Sequence, residues 1–218
     1  MIQVPKGWCQ YTQVPASSTD YTNKMNQLYT RFASEYDLFI AFFPLWKKWL
    51  NSVLPFVKGK RILEVSFGPG YLLTAYNKKH HLYGLDYNAT MVHRAKVKVL
   101  KAQRKAKLTE GNVEAMPYPS NYFDTVINTM AFSGYPEGHL AMNELLRVLK
   151  PGGSLLLLDY DYPPNRNILG FLMVRFIELC GDIIKDIESL LQEHPVEYER
   201  HIIGGFGSIQ LFIVNKVK

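Results

Sequence analysis

The stretch "RILEVSFGPGYL", Arg61 to Leu72, decides the fold. Arg61–Val65 reads as a short buried strand, Gly68 and Gly70 break it, and Tyr71–Lys78 reads as a helix. A strand that turns through glycines into a helix brings backbone N–H groups and a helix N-terminus up to a bound ligand. Two details narrow the ligand. Leu73 stands where the dinucleotide fingerprint G-x-G-x-x-G has its third glycine, and Glu64 puts a carboxylate at the strand's carboxyl end. A carboxylate there repels a pyrophosphate and suits a ligand that is cationic or rich in N–H and O–H donors.

Downstream, strands and helices alternate. "HLYGLD" ends in a second acid, Asp86, and is followed by a basic helix. "AKLTEGN" holds a third strand, and Asn112 follows it. "FDTVINTM" is a fourth, "HLAMNELLRVLK" a helix that Pro-Gly-Gly stops, and "SLLLLDY" a fifth. The run of leucines suits a strand buried on both faces, as in a parallel sheet. Right-handed crossovers then give a doubly wound α/β fold. "VEYERHIIGGFGSIQLFIVNKVK" reads as a C-terminal antiparallel hairpin whose turn uses Gly204, Gly205 and Gly207 at positive φ.

Composition assigns the remainder. Residues 1–20, rich in Pro, Ser, Thr and Gln, read as a flexible N-terminal arm, and residues 21–218 as one domain. Within it, 21–57 is an aromatic-rich helical lead-in divided at Pro44 and Pro55, and 163–194 a helical insertion or cap. With 218 residues and 47% apolar content the chain has a real core. Cys9 and Cys180 make neither a disulfide framework nor a zinc set, and no His/Asp/Glu cluster has metal-ligand spacing. The start lacks an apolar leader, and "ILGFLMVRFIELCGDII" carries Arg175, Glu178 and Asp182, which is too interrupted for a membrane span. The expected location is cytoplasmic.

Net charge is +6 and concentrated in His93–Lys107, which holds Arg94, Lys96, Lys98, Lys101, Arg104, Lys105 and Lys107 without an acid. Met91, Ala95, Val99, Ala102 and Ala106 recur at helical spacing, so the cations read as a solvated helix face. The aromatic interleaving of a single-strand binder is missing, and no nucleic-acid partner is expected.

Three strand ends thus present a glycine loop, a carboxylate at Asp86 able to accept both hydroxyls of a ribose, and Asn112 with Val113 and Met116 to flank a purine. With "ILEVSFGPGYL", "YGLDYNATMV", "GNVEAMPYPSNYFDTVINTMAFSGYP" and "ELLRVLKPGGSLLLLD", this resembles the class I S-adenosylmethionine-dependent methyltransferases, nearest the ubiquinone/menaquinone-biosynthesis branch. The resemblance implies a Rossmann-like, mostly parallel seven-stranded sheet and S-adenosyl-L-methionine as cofactor. It implies that Gly68 and Gly70 admit the methionine part, Glu64 holds its ammonium, and Asp86 takes the ribose. It places Tyr87 and Met91 along the adenosine, Asn112 and Val113 at adenine, Asn128 near the sulfonium, and Tyr36 over the cofactor. Ser66 departs from the usual first loop glycine, with a hydroxyl that can donate to the Glu64 carboxylate, and Asn112 stands where Asp is commoner.

The acceptor pocket is expected between the loops after the fourth and fifth strands. Tyr135, Asp159 and His139 are the candidate catalytic residues there, and Arg166 a partner for an acidic substrate group or for Asp161. The many lead-in aromatics (Tyr29, Phe32, Tyr36, Phe39, Phe43 and Trp46) suit a small, largely apolar or aromatic acceptor, and the apolar cap leaves room for peripheral membrane contact. Two other readings compete: a cofactor-binding adaptor without catalysis, and a nicotinamide oxidoreductase on the same architecture.

Overall fold

The computed structural model describes residues 2–12, 15–32 and 43–217. One sheet contains β1 (Arg61–Val65), β2 (His81–Asp86), β3 (Ala106–Glu110), β4 (Phe123–Thr129), β5 (Leu149–Tyr160), β6 (Val196–Gly204) and β7 (Ile209–Lys216). Their spatial order is β3-β2-β1-β4-β5-β7-β6. The first five are parallel, and β7 runs antiparallel to both β5 and β6. The doubly wound sheet with its C-terminal hairpin is therefore as expected. Strand order reverses between β1 and β4, which opens a crevice at the strands' carboxyl ends.

The helices are α1 (Ser18–Arg31), α2 (Pro44–Asn51), α3 (Tyr71–Ala75), α4 (Ala89–Lys101), α5 (Gly138–Val148), α6 (Ile168–Leu179) and α7 (Ile187–Gln192). They cover both faces, and the leucine run of β5 shows how. Leu156 and Leu158 pack with Trp46, Trp49, Leu72, Val92 and Val99 on one face. Leu155 and Leu157 pack with Met142, Leu145 and Leu190 on the other. The pleat sends alternate residues to opposite sides, so both sides of this strand must be apolar.

Several boundaries differ from the sequence expectation. The first-loop helix stops at Ala75 rather than Lys78, and Leu149–Lys150 already belong to β5, where Pro-Gly-Gly lies in a bulge opposite Phe123–Thr125. Ala106 opens β3 rather than closing α4, whose buried stripe is Met91, Val92, Ala95 and Val99. In the hairpin turn Gly205 and Gly207 have positive φ, with Phe206 between them at 57°, whereas Gly204 is extended.

The N-terminal segment packs on the region after β5. Val4 is buried and its N–H donates to Arg166 O, Trp8 lies against Phe171, and Tyr11 Oη donates to Asp161. Helix α6 packs inward through Phe171 and Val174, while Leu169, Leu172, Phe176 and Leu179 remain exposed. Gly170 lets α6 approach the hairpin turn: a Cβ there would lie 2.7 Å from Phe206 O. No described helix is long and apolar enough to cross a membrane.

Candidate cofactor and active site

The crevice at the switch point is a cleft of about 1140 Å³, its open mouth included. Its floor comes from the loop after β1, its near wall from the ends of β2 and β3, and its far wall from Thr129 to Pro136 after β4. Helix α1 roofs it through Thr22, Met25, Asn26 and Tyr29.

Ser66 and Gly68 both sit in the left-handed region, with φ of 54°, and Gly70 follows at 80°. Glycine adopts this conformation freely, while at Ser66 it carries a Cβ cost. A Cβ on Gly70 would come 2.9 Å from Ala95 Cβ, so this glycine also lets the loop seat against α4. The Ser66 hydroxyl does not reach Glu64, contrary to expectation. It lies 2.7 Å from Tyr135 Oη, which accepts from Asn128 Nδ2 at 2.6 Å.

Glu64 is 2% exposed and lines the cleft, and its Oε2 has no hydrogen-bond partner among the described residues. Burial pushes its carboxyl up to about 8, the neighbouring Tyr76 hydroxyl eases it, and the Asp86 charge adds to the rise. Tyr76 Oη is likewise buried without reaching hydrogen-bond geometry. A buried carboxylate lining a cleft is a position for a cation or N–H donor.

Asp86 is buried, and both its oxygens already accept from the backbone: Oδ2 from Gly68 N at 2.8 Å and Oδ1 from Asn88 N at 2.9 Å. These bonds aim the carboxylate and leave a second lone pair on each oxygen for hydroxyls. Burial raises its pKa to about 6, against the lowering effect of the two amides. Tyr87, Met91, Asn112 and Val113 also line the cleft. Asn112 Oδ1 accepts from Glu114 N at 3.0 Å, capping the short turn Val113–Ala115.

Other expected residues lie elsewhere. Asn128 does not line the cleft: it is fully buried beneath it, and its amide steadies Tyr135 and bonds Val65 O. Asp159 is also behind the wall, accepting from Ala131 N, Ser133 N, Ser133 Oγ and Tyr160 N, and so shapes the loop after β4. His139 is exposed on α5 and pairs with Glu193 at 3.1 Å, away from the cleft. A solvent-facing position in the first turn of α5 accounts for it. Arg166 binds Gln3 Oε1 and Val4 O rather than Asp161, whose ion-pair partner is Arg200. Tyr135 does line the cleft, yet burial pushes its hydroxyl well above the usual phenol range and Ser66 and Asn128 occupy it. Tyr36 lies outside the described residues. Among those described, no group of His, Cys, Asp and Glu could hold a metal ion.

Asn88 was missed by motif reading. Its Oδ1 caps α4 by accepting from Met91 N, and its Nδ2 donates to Asn26 O, Asn26 Oδ1 and Thr30 Oγ1. One side chain thus fastens the roof helix to the end of β2. The capping half was readable from Asn before a helical run, but the contact with α1 was not.

Residues 63–157 match the family described as "Methyltransferase domain". The ubiquinone/menaquinone biosynthesis C-methyltransferase UbiE of Edwardsiella ictaluri is 27% identical over 158 residues, 67% of this chain and 63% of that enzyme. A SAM-dependent methyltransferase from Thermotoga maritima shares the fold at a TM-score of 0.71 and 16% identity, covering 88% of this chain and 99% of that one. The cyclase SpnF does so at 0.74 and 14% identity, covering 94% and 99%. Residues 63–157 are thus similar to a methyltransferase domain, and the fold is that of the solved SAM-dependent methyltransferase. Its sequence is similar to the ubiquinone/menaquinone-biosynthesis enzymes, in line with the resemblance noted above. The buried Glu64 carboxylate and the amide-anchored Asp86 fit the cationic tail and ribose of S-adenosyl-L-methionine, the cofactor that the resemblance implies.

Proposed function

We propose that the chain transfers a methyl group to a small, largely apolar or aromatic acceptor. The observation that carries this reading is the buried Glu64 carboxylate set beside Asp86 in a cleft lined by Met25, Tyr29, Leu50 and Met130. Glu64 would hold the ammonium, Asp86 the ribose, and Asn112 and Val113 the adenine edge. The bound cofactor supplies the activated methyl group at its sulfonium. The protein's contribution is then alignment and exclusion of water. None of the three expected acid–base residues is free in the cleft: Tyr135 is held by its hydrogen bonds, and Asp159 and His139 are outside it. This favours an acceptor atom that is nucleophilic without a protein base, such as an electron-rich ring carbon, a sulfur or an amine.

The fold alone does not fix the reaction, since SpnF shares it. Titration calorimetry with S-adenosylmethionine, S-adenosylhomocysteine and NADH, followed by an acceptor panel read out as S-adenosylhomocysteine formed, tests the proposal. Tight S-adenosylhomocysteine binding with turnover on an apolar acceptor is expected. Preference for NADH would overturn it, and binding without turnover on any acceptor would favour a non-catalytic role.

A further inference from the structure

A second cleft, of about 1040 Å³ with its open mouth, lies at the opposite end of β2 and β3 from the cofactor crevice. Its lining includes Lys78, His81, Tyr83, Arg104, Lys105 and Lys107 and contains no carboxylate. Lys78, His81, Lys105 and Lys107 are exposed, and none makes an ion pair among the described residues. The cations come from two separated stretches: Lys78 and His81 around the start of β2, and Arg104, Lys105 and Lys107 where the turn after α4 runs into β3. Only the fold brings them together.

The cleft is built as well as charged. Arg104 is half-buried, and its guanidinium donates to Tyr76 O, which fixes it at the wall. Lys107 Nζ lies 5.5 Å from the centre of the Tyr83 ring. His80 Nδ1 donates to Gly59 O at 2.9 Å, which holds that ring at the base. Strand β3 ends the sheet, and lysines on an edge strand discourage pairing with other chains. That role needs scattered charges, whereas here they converge on a concavity. Uncompensated cations around a hollow of this size match a ligand with several negative oxygens.

We propose that the cleft bounded by Lys78, Arg104, Lys105 and Lys107 binds a ligand carrying several phosphate groups, at a site separate from the cofactor crevice. Lys78, Lys105 and Lys107 supply point charges, and Arg104 a planar donor set. The site goes beyond methyl transfer and stands or falls independently of it.

Inorganic tripolyphosphate is the probe, titrated calorimetrically into the full chain near physiological ionic strength. Saturable binding at one site is expected, with S-adenosylhomocysteine bound at the same time. Lys105→Glu/Lys107→Glu should weaken it by roughly tenfold or more. Lys48→Glu/Lys96→Glu changes net charge equally outside the cleft and should leave it nearly unchanged. Flotation on phosphatidic acid vesicles identifies the source. Cleft-dependent flotation points to a lipid headgroup, and its absence with tripolyphosphate binding retained points to a free ligand. The proposal is overturned if neither probe binds, if both double variants weaken binding alike, or if S-adenosylhomocysteine displaces tripolyphosphate. Tighter, cleft-dependent binding of a single-stranded oligonucleotide than of either probe would also overturn it, in favour of nucleic acid.

Discussion

Ser66 Oγ lies 2.7 Å from Tyr135 Oη, joining the loop after β1 to the loop after β4 across the floor of the cleft. Tyr135 Oη also accepts from Asn128 Nδ2, an amide nitrogen that can only donate. The three side chains form a brace, and the position that usually carries glycine carries its hydroxyl for that purpose.

A brace and a base predict different kinetics. Tyr135→Phe strips Asn128 of its best acceptor, at a cost of ~1–2 kcal/mol in stability. If Tyr135 only braces, the rate constant for methyl transfer stays within about tenfold of wild type and its pH profile keeps its shape. A loss of about 10²-fold or more with an altered basic limb would make Tyr135 a general base. Denaturant melts and single-turnover rates measure both.

Glu64 couples pH to stability and to ligand binding with opposite signs. Its folded pKa of about 8 lies above the ordinary 4.5, so the native chain without cofactor keeps a proton that the unfolded chain releases in between. That stability is present below about pH 4.5 and is lost as pH rises through about 8, at up to ~1.4 kcal/mol per pH unit. Asp86 and Asp159 near 6 and Asp161 near 7 act in the same direction at lower pH. Glu64→Gln should therefore flatten the decline most clearly between about pH 7 and 8. An ammonium group binds the ionised carboxylate, so S-adenosylhomocysteine affinity should rise with pH over the same range in wild type and not in the variant. A flat wild-type affinity profile would remove Glu64 from the ligand's ammonium.

Asp86→Ala should weaken S-adenosylhomocysteine by ~1.5–3 kcal/mol, the scale of hydrogen bonds to a charged group. Asp86→Asn can still accept from one of the two anchoring amides and should fall between. Calorimetry on all three proteins checks the order. Unchanged affinity in the alanine variant would mean that the ribose lies elsewhere.

Asn88→Ala should cost ~1 kcal/mol from the lost helix cap and also release α1 from the end of β2. Faster hydrogen exchange over Ser18–Arg31, with β1 to β5 unaltered, is the expected signature. Asn88→Asp keeps the capping oxygen and loses the amide donor. It should restore stability but not protection of α1.

The sequence by itself determined the order of elements, the buried sheet and the carboxylate and amide positions at successive strand ends. Each of these follows from local chemistry: apolar runs of strand length, glycines that permit positive φ at Gly68 and Gly70, and acids that close strands at Glu64 and Asp86. Tertiary structure alone decided which of those side chains face the cleft. Asn128 and Asp159 close or follow neighbouring strands just as Asp86 does, yet they turn inward because Tyr135 and the Ala131–Ser133 amides lie within their reach. His139 carries suitable chemistry on a helix turn that faces solvent. The links from Ser66 to Tyr135 and from Asn88 to α1 span about 60 residues or more, and Lys78 and Lys107 converge from either side of α4 over a shorter stretch of chain. Such partners depend on how packed elements are oriented in space, and no pattern within either local segment records that orientation.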